Sequence, residues 1–106
     1  MANILTISAH PDDHLGCAGT LFKLKEKNHH LYEIVLTAGN EGFNRATKKI
    51  VNNLEMKTIR LTEFKKASKY LGTKKTWCMG FDDLDVHYDK ETMFKMVKII
   101  RDLKPQ

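Results

Sequence analysis

His10, Asp12 and Asp13 stand close together in the stretch Ala9-His10-Pro11-Asp12-Asp13. An imidazole and two carboxylates at this spacing can divide the work of a metal site, with His10 and one aspartate binding the ion and the other aspartate free to accept a proton from water. An aspartate here could instead cap a following helix, which is a common use of this residue. The spacing alone leaves both interpretations open.

The elements around this stretch predict a βαβ unit. Ile4 to Ser8 is a short, β-branched apolar run that predicts a buried strand, and Tyr32 to Thr37 predicts a second one. Between them, apolar residues at helical spacing predict a helix from about Leu15 to Asn28. The two strands should be parallel, and His10 to Asp13 would follow the carboxyl end of the first strand, where open α/β sheets bind their ligands.

The rest of the chain continues the alternation. A polar, lysine-rich stretch from Asn44 to Lys57 could be a loop or a short helix. The firmer elements are a helix over Thr58 to Leu71 with Gly72 as its C-cap, a strand over Thr76 to Met79, an acidic loop over Gly80 to Tyr88 and a helix over Lys90 to Leu103. This order predicts an α/β fold: a three-layer, Rossmann-like open sheet of mainly parallel strands with flanking helices.

The chain has 106 residues, a length that fits one domain. The final Lys104-Pro105-Gln106 resembles a turn into another strand, because proline ends helices and favours extended backbone before it. We therefore expect residues 1–106 to be the N-terminal part of a single α/β domain that is truncated at its C-terminus.

Composition narrows the classes of function. With 42% hydrophobic and 29% charged residues, the chain has the composition of a globular protein. The net charge of +5 comes from lysines spread along predicted helices, so we expect solvated faces and no nucleic-acid partner. No apolar run is long enough for a membrane span and no secretory signal is evident, which predicts a cytoplasmic protein. Cys17 and Cys78 are predicted to be reduced, buried thiols.

Four segments resemble a known family: NILTISAHPDD, GCAGTLFKLKEK, YEIVLTAGNEG and RLTEFKKASKYLG. They are similar to the LmbE-like and PIG-L-like zinc-dependent N-deacetylases, which deacetylate N-acetylglucosamine conjugates. The similarity covers nearly the whole chain, and its most specific part is AHPDD followed by GCxGT. It implies a hydrolase that removes the acetyl group from an N-acetylated sugar conjugate.

The resemblance also implies a role for each residue of the AHPDD stretch. His10 and Asp13 would bind Zn²⁺, and Asp12 would be the general base. Zinc acidifies water and polarises an amide carbonyl, so Asp12 would need only to accept a proton from an already acidic water. His and carboxylate ligands also suit Fe²⁺ or Mn²⁺.

Two further residues are implied to bind substrate. Arg60 would face the substrate, although an exposed helix arginine paired with Glu63 is an equally open interpretation. Asp83 would bind sugar hydroxyls, but the neighbouring Asp82 and Asp85 leave this assignment open by a residue. Thr37, Gly39 and Glu41 would belong to the loop that walls the site, without catalytic roles.

Three departures from the family pattern matter. His14 stands where a glutamate is usual, and could be a lone histidine at a helix start. The spacing from Asp13 to Gly16 is one residue shorter than the common form, which would rotate the start of the first helix. The third zinc-ligand histidine is not evident; the only histidine after His30 is His87 in the third-strand loop, which could approach the same sheet edge.

The incomplete zinc site allows two interpretations. A second chain or a homo-oligomer could supply the missing strand, pairing at the open edge of the third strand, and the missing histidine. Alternatively, the chain is a non-catalytic remnant or interaction module of the same fold.

Overall fold

The computed structural model describes residues 1–40 and 52–106. Its elements alternate along the chain as predicted. They are β1 (Asn3–Ser8), the 3₁₀ helix η1 (Asp13–Cys17), α1 (Ala18–Glu26), β2 (His30–Thr37), α2 (Asn53–Leu71), β3 (Lys75–Phe81) and α3 (Lys90–Leu103).

The strands form one parallel sheet in the order β1-β2-β3. Ile34 of the central strand pairs with Ile7 on one side and with Trp77 on the other. Ile34 and its neighbour Val35 are completely buried, because β2 is covered by a strand on each side and by helices. Parallel strands joined by helices confirm the predicted α/β open sheet.

Helices lie on both faces of the sheet. Leu21 of α1, Leu31 of β2 and Leu71 of α2 form a buried cluster on one face, where each side chain contributes about 2 kcal/mol by leaving water. Successive strand residues point to opposite faces, so Tyr32 faces the other way and lines a groove together with Ile99 of α3. The sheet therefore has α1 and α2 on one face and α3 on the other, as the three-layer prediction requires.

Two local predictions were wrong. The helix predicted from Leu15 begins as the 3₁₀ turn η1 and becomes α-helical only at Ala18. Such tight turns are common at the start of α-helices. Cys17 and Cys78 are free thiols as expected, but both are exposed, because one ends η1 at the surface and the other lies on β3, an edge strand of the described sheet.

The long helix α2 is set by its two caps. The Asn52 side chain accepts a hydrogen bond from the Glu55 N–H at 2.8 Å, so the helix starts before Thr58. Gly72 ends it in the left-handed conformation, with φ of 82°, which confirms the predicted glycine cap. Of the stretch predicted as a loop or short helix, Asn44 to Lys57, residues 44–51 lie outside the described residues.

The last residues return to the start of β1. Asn3 Nδ2 donates to the Leu103 carbonyl at 2.6 Å, and the Gln106 N–H donates to the Asn3 carbonyl at 3.0 Å. The preceding carbonyl, that of Ala2, accepts from His30 of β2. Since alternate carbonyls of a strand point to opposite sides, Gln106 lies at the outer edge of β1.

Within the described ranges, no helix combines the length and apolar character needed to cross a bilayer.

Candidate active site

The AHPDD turn is closed by its own last aspartate. Asp13 Oδ2 accepts hydrogen bonds from the N–H groups of Ala9 at 3.0 Å and His10 at 2.9 Å. The same oxygen lies 3.8 Å from His10 Nδ1, so the two predicted metal ligands are adjacent. Asp12 occupies the cap position of η1 but makes no capping hydrogen bond with its side chain. Capping of the following turn therefore does not explain Asp12.

An irregularity in the sheet brings a second loop to this turn. Val35 and Thr37 of β2 pair with Cys78 and Phe81 of β3, so β3 carries one extra residue between the two pairs. Gly80 lies in this interval with φ of 82°, a conformation that favours glycine. A bulge of this kind bends its strand and redirects the residues that follow.

Asp83, just beyond the bulge, lies against His10. Its side chain is 6% exposed, and its Oδ1 is 3.4 Å from His10 Nε2. The Thr37 hydroxyl lies 2.7 Å from the same oxygen and 2.8 Å from the Ala9 carbonyl, and its single proton can serve one of them at a time. The Asp83 N–H donates to Asn40 Oδ1 at 2.8 Å. These contacts hold the carboxylate over the ends of β1 and β2.

The neighbouring aspartates have other partners. Asp82 forms an ion pair with Lys57 at 2.8 Å, and Asp85 lies 3.3 Å from His87, with both carboxylates more than half exposed. The His87 ring contacts Phe81 edge to face. Of the three aspartates in this loop, Asp83 is therefore the one that contacts the AHPDD turn.

Arg60 connects α2 to the same turn. Its Nη2 donates to Asp12 Oδ1 at 3.0 Å, and its Nη1 donates to the Gly39 carbonyl at 3.2 Å. In the described part of the chain, Arg60 thus pairs with Asp12 and not with Glu63. Gly39 has φ of 69°, and a Cβ built there would overlap the guanidinium. Glycine at this position is what allows Arg60 to approach.

The described residues supply part of a metal site. His10 and Asp13 offer an imidazole nitrogen and a carboxylate oxygen, which suit Zn²⁺. Across residues 1–40 and 52–106, however, no group of three or more histidine, cysteine, aspartate and glutamate side chains is arranged to hold a metal ion. Catalytic zinc sites usually have three protein ligands, so these residues fit two positions of such a site.

Several buried polar residues were not predicted. Asn40 supports Asp83 from the loop after β2, whereas Glu41, expected in the same loop, lies outside the described residues. His14 is not a lone histidine: it is buried and lies 2.7 Å from Glu33 of β2. The signal that could have located this pair is Glu33 itself, a single carboxylate inside the apolar strand HLYEIVLT.

The fold and the site define an α/β protein with a candidate metal centre at the carboxyl edge of a parallel sheet. Residues 5–106 match the model of the family described as PIG-L: GlcNAc-PI de-N-acetylase. The chain belongs to this family.

Known proteins resemble the chain over almost its full length. A diacetylchitobiose deacetylase of Thermococcus kodakarensis is 33% identical over 103 residues, which are 96% of this chain and 38% of that protein. The structure of N,N'-diacetylchitobiose deacetylase from Pyrococcus horikoshii, complexed with its inhibitor MPG, matches with a TM-score of 0.86 and 28% identity over 98% of this chain and 38% of that one. The chain thus spans well under half the length of these two proteins.

A third similarity concerns the fold alone. The 4-carboxy-2-hydroxymuconate hydratase GalB of Pseudomonas putida has a TM-score of 0.85 and 23% identity, covering 99% of this chain and 45% of that one. Because that protein is named for a different reaction, the shared fold does not define the chemistry, which must be argued from the site.

Proposed function

We propose that residues 1–106 form the N-terminal part of a single deacetylase domain, which hydrolyses the N-acetyl amide of a sugar conjugate with the help of a bound Zn²⁺ ion. The observation that carries this proposal is the meeting of His10, Asp12 and Asp13 with Asp83 at one edge of the sheet. Membership of a family described as a de-N-acetylase supports it, as do relatives named for acetylated chitobiose.

In the proposed site, His10 and Asp13 hold the metal and Asp12 is the general base. When bound, zinc would polarise the amide carbonyl and acidify a water molecule. The Asp12 side chain is 65% exposed, so its carboxylate is open to water and substrate, while Arg60 fixes its orientation from the protein side. This combination of access and fixed direction suits a residue that takes a proton from water.

Arg60 and Asp83 are the proposed substrate contacts. A guanidinium has five N–H donors, and Arg60 uses one on Asp12 and one on the Gly39 carbonyl, so donors are left for a substrate hydroxyl. Asp83 is much more enclosed and faces His10. Asp83 would therefore have two roles: it would bind substrate, and it would orient the His10 ring.

We further propose that a histidine from outside residues 1–106 of this molecule completes the zinc site. A longer chain, a second copy or a separate polypeptide could bring it, and both β1 and β3 are edges of the described sheet at which a strand could add. The cytoplasmic location stays a prediction. The alternative proposal, a non-catalytic remnant or interaction module, differs in requiring neither metal nor turnover.

The test is release of acetate from N,N'-diacetylchitobiose by the purified chain with added Zn²⁺, compared with Asp12→Asn. The proposal expects Asp12→Asn to lower the rate by about 100-fold or more, the usual contribution of a general base. Asp85→Asn is the matched control, because this exposed aspartate pairs with His87 away from the turn. Equal rates for the parent and Asp12→Asn would exclude Asp12 as the base, and absence of both zinc binding and acetate release would favour the non-catalytic alternative.

A further inference from the structure

A buried histidine–glutamate pair lies directly behind the AHPDD turn. The side chains of His14 and Glu33 are each 2% exposed, and His14 Nδ1 lies 2.7 Å from Glu33 Oε1. The Thr73 hydroxyl donates to the other oxygen, Oε2, at 3.1 Å. Both carboxylate oxygens therefore have partners inside the protein, and the proposed chemistry uses none of these three residues.

Separate segments of the chain converge on this pair. His14 belongs to η1 and directly follows Asp13, Glu33 belongs to β2, and Thr73 follows the end of α2. The His14 ring also stacks on Phe64 of α2, with ring centroids 5.5 Å apart and the planes 20° from parallel. The stack restrains the imidazole from its face and the hydrogen bond restrains it in its plane, so its orientation is fixed in both respects.

The energetics of burial indicate what the pair supplies. Removing an imidazole and a carboxylate from water is costly, and apolar side chains of similar volume often stabilise a core equally well or better. A hydrogen bond supplies direction, which apolar contacts do not. Successive side chains of a 3₁₀ turn differ in direction by about 120°, so fixing His14 on β2 also fixes where the carboxylate of Asp13 points.

We propose that the His14–Glu33 pair positions the Asp12-Asp13 end of the AHPDD turn. Asp13 in turn holds the N–H groups of Ala9 and His10, so the buried hydrogen bond ties the Asp12-Asp13 end of the turn to the central strand, while Thr37 of that strand holds the Ala9 carbonyl. His14 and Glu33 are positioning residues with no contact to substrate. The catalytic role of the turn rests on the proposed function. Its conformational order can be measured without any enzymatic activity.

The test replaces the polar pair by an apolar pair that fills the same space, His14→Leu with Glu33→Met. Amide hydrogen exchange is measured at Ala9 and His10, whose N–H groups report the closed turn, and at Ile34 and Val35, which report the core. We expect exchange at Ala9 and His10 to accelerate by about 10-fold or more while the two core amides stay protected. His14→Asn in the parent, with Glu33 unchanged, places an amide nitrogen where Nδ1 was. This variant should keep most of the protection at Ala9 and His10.

A folded double variant with unchanged protection at Ala9 and His10 would overturn the proposal, since the pair would then only fill the core. Should the double variant unfold, Glu33→Met alone keeps a similar volume and removes the acceptor of the hydrogen bond. Faster exchange at Ala9 and His10 with an intact core then supports the proposal, and no change overturns it. Zn²⁺ titration of the same proteins separates the two claims: an exchange effect with no zinc binding even in the parent contradicts the proposed function and leaves the positioning role standing.

Discussion

Arg60 Nη2 donates a hydrogen bond to Asp12 Oδ1 at 3.0 Å, so α2 holds the proposed base from 48 residues further along the chain. The same guanidinium donates to the Gly39 carbonyl after β2. The direction of the Asp12 carboxylate therefore depends on three segments that meet at the edge of the sheet, and not on its own turn alone.

Arg60→Ala should separate positioning from substrate binding. If Arg60 mainly orients Asp12, kcat for acetate release should fall by about 10- to 100-fold with little change in KM, as is usual when the partner of a catalytic group is removed. Steady-state kinetics on N,N'-diacetylchitobiose measure both constants. Arg101→Ala in α3 is the control for loss of an arginine. A raised KM with unchanged kcat would show instead that Arg60 serves the substrate.

Gly39→Ala should be destabilising because of both its backbone conformation and the approach of Arg60. The positive φ and the overlap of a Cβ with the guanidinium predict a loss of about 1 kcal/mol or more in the free energy of unfolding. Gly19→Ala in α1 is the matched control: apart from its chain neighbours and the backbone of its own helix, nothing lies within 4 Å of its added Cβ, and stability should rise by about 0.5 kcal/mol. Urea denaturation measures both, and equal stability of Gly39→Ala and the parent would contradict the described approach of Arg60.

Asp83→Asn tests whether this buried carboxylate orients His10. Loss of the charge beside His10 Nε2 should weaken Zn²⁺ binding by about 10- to 100-fold, the range found for residues that support metal ligands. Asp82 directly precedes Asp83 but pairs with Lys57, so the Asp82→Asn variant should bind zinc like the parent. If the two variants bind zinc equally well, the contact between Asp83 and His10 has no role in the metal site.

Asp89 should make the stability of the chain depend on acid pH. Hydrogen bonds from the Thr92 backbone N–H, and next from its side chain, hold the pKa of Asp89 below its ordinary value of 3.8. A lowered carboxyl pKa contributes stability that is present above 3.8 and is lost as the pH falls through the lower folded-state value. Asp89→Ala should therefore be less stable than the parent at pH 6, and the difference should shrink towards acid.

Asp89→Asn keeps a cap without the charge, and its stability relative to the parent should improve as the pH falls below 3.8. Thermal unfolding of the three proteins at several pH values makes the comparison. A deficit of Asp89→Ala that is constant down to the most acidic pH would show that the ionised carboxylate does not support the start of α3.

Much of the fold follows from patterns that are local in the sequence. Neighbouring residues set the apolar strands before and after α1 and the helical spacing in α2 and α3. The parallel order of the strands follows from the alternation of strands and helices along the chain. The AHPDD stretch was recognisable for the same reason, since His10, Asp12 and Asp13 are close in the chain.

The parts that the sequence left open or did not indicate depend on distant contacts. Arg60 was expected to face the substrate or Glu63, because nothing in the sequence shows that the glycine at position 39 leaves room for it beside Asp12. Asp83 could not be distinguished from its neighbours until the bulge at Gly80 was known. The His14–Glu33 pair joins η1 to β2 through the interior, and the local pattern around His14 does not show which strand residue it contacts.

A metal site at the AHPDD turn is tested most directly by a Zn²⁺ titration of the purified, chelator-free chain beside His10→Ala and Asp13→Ala, with His87→Ala and Asp85→Ala as controls. Because His10 and Asp13 fill only two positions of the site, we predict weak binding of about one zinc by the parent, binding weakened by about a further 10-fold when His10 or Asp13 is replaced, and no change in the two controls. Zinc binding that is the same in His10→Ala, Asp13→Ala and the parent, or a folded parent that binds none, would contradict a metal site at the AHPDD turn.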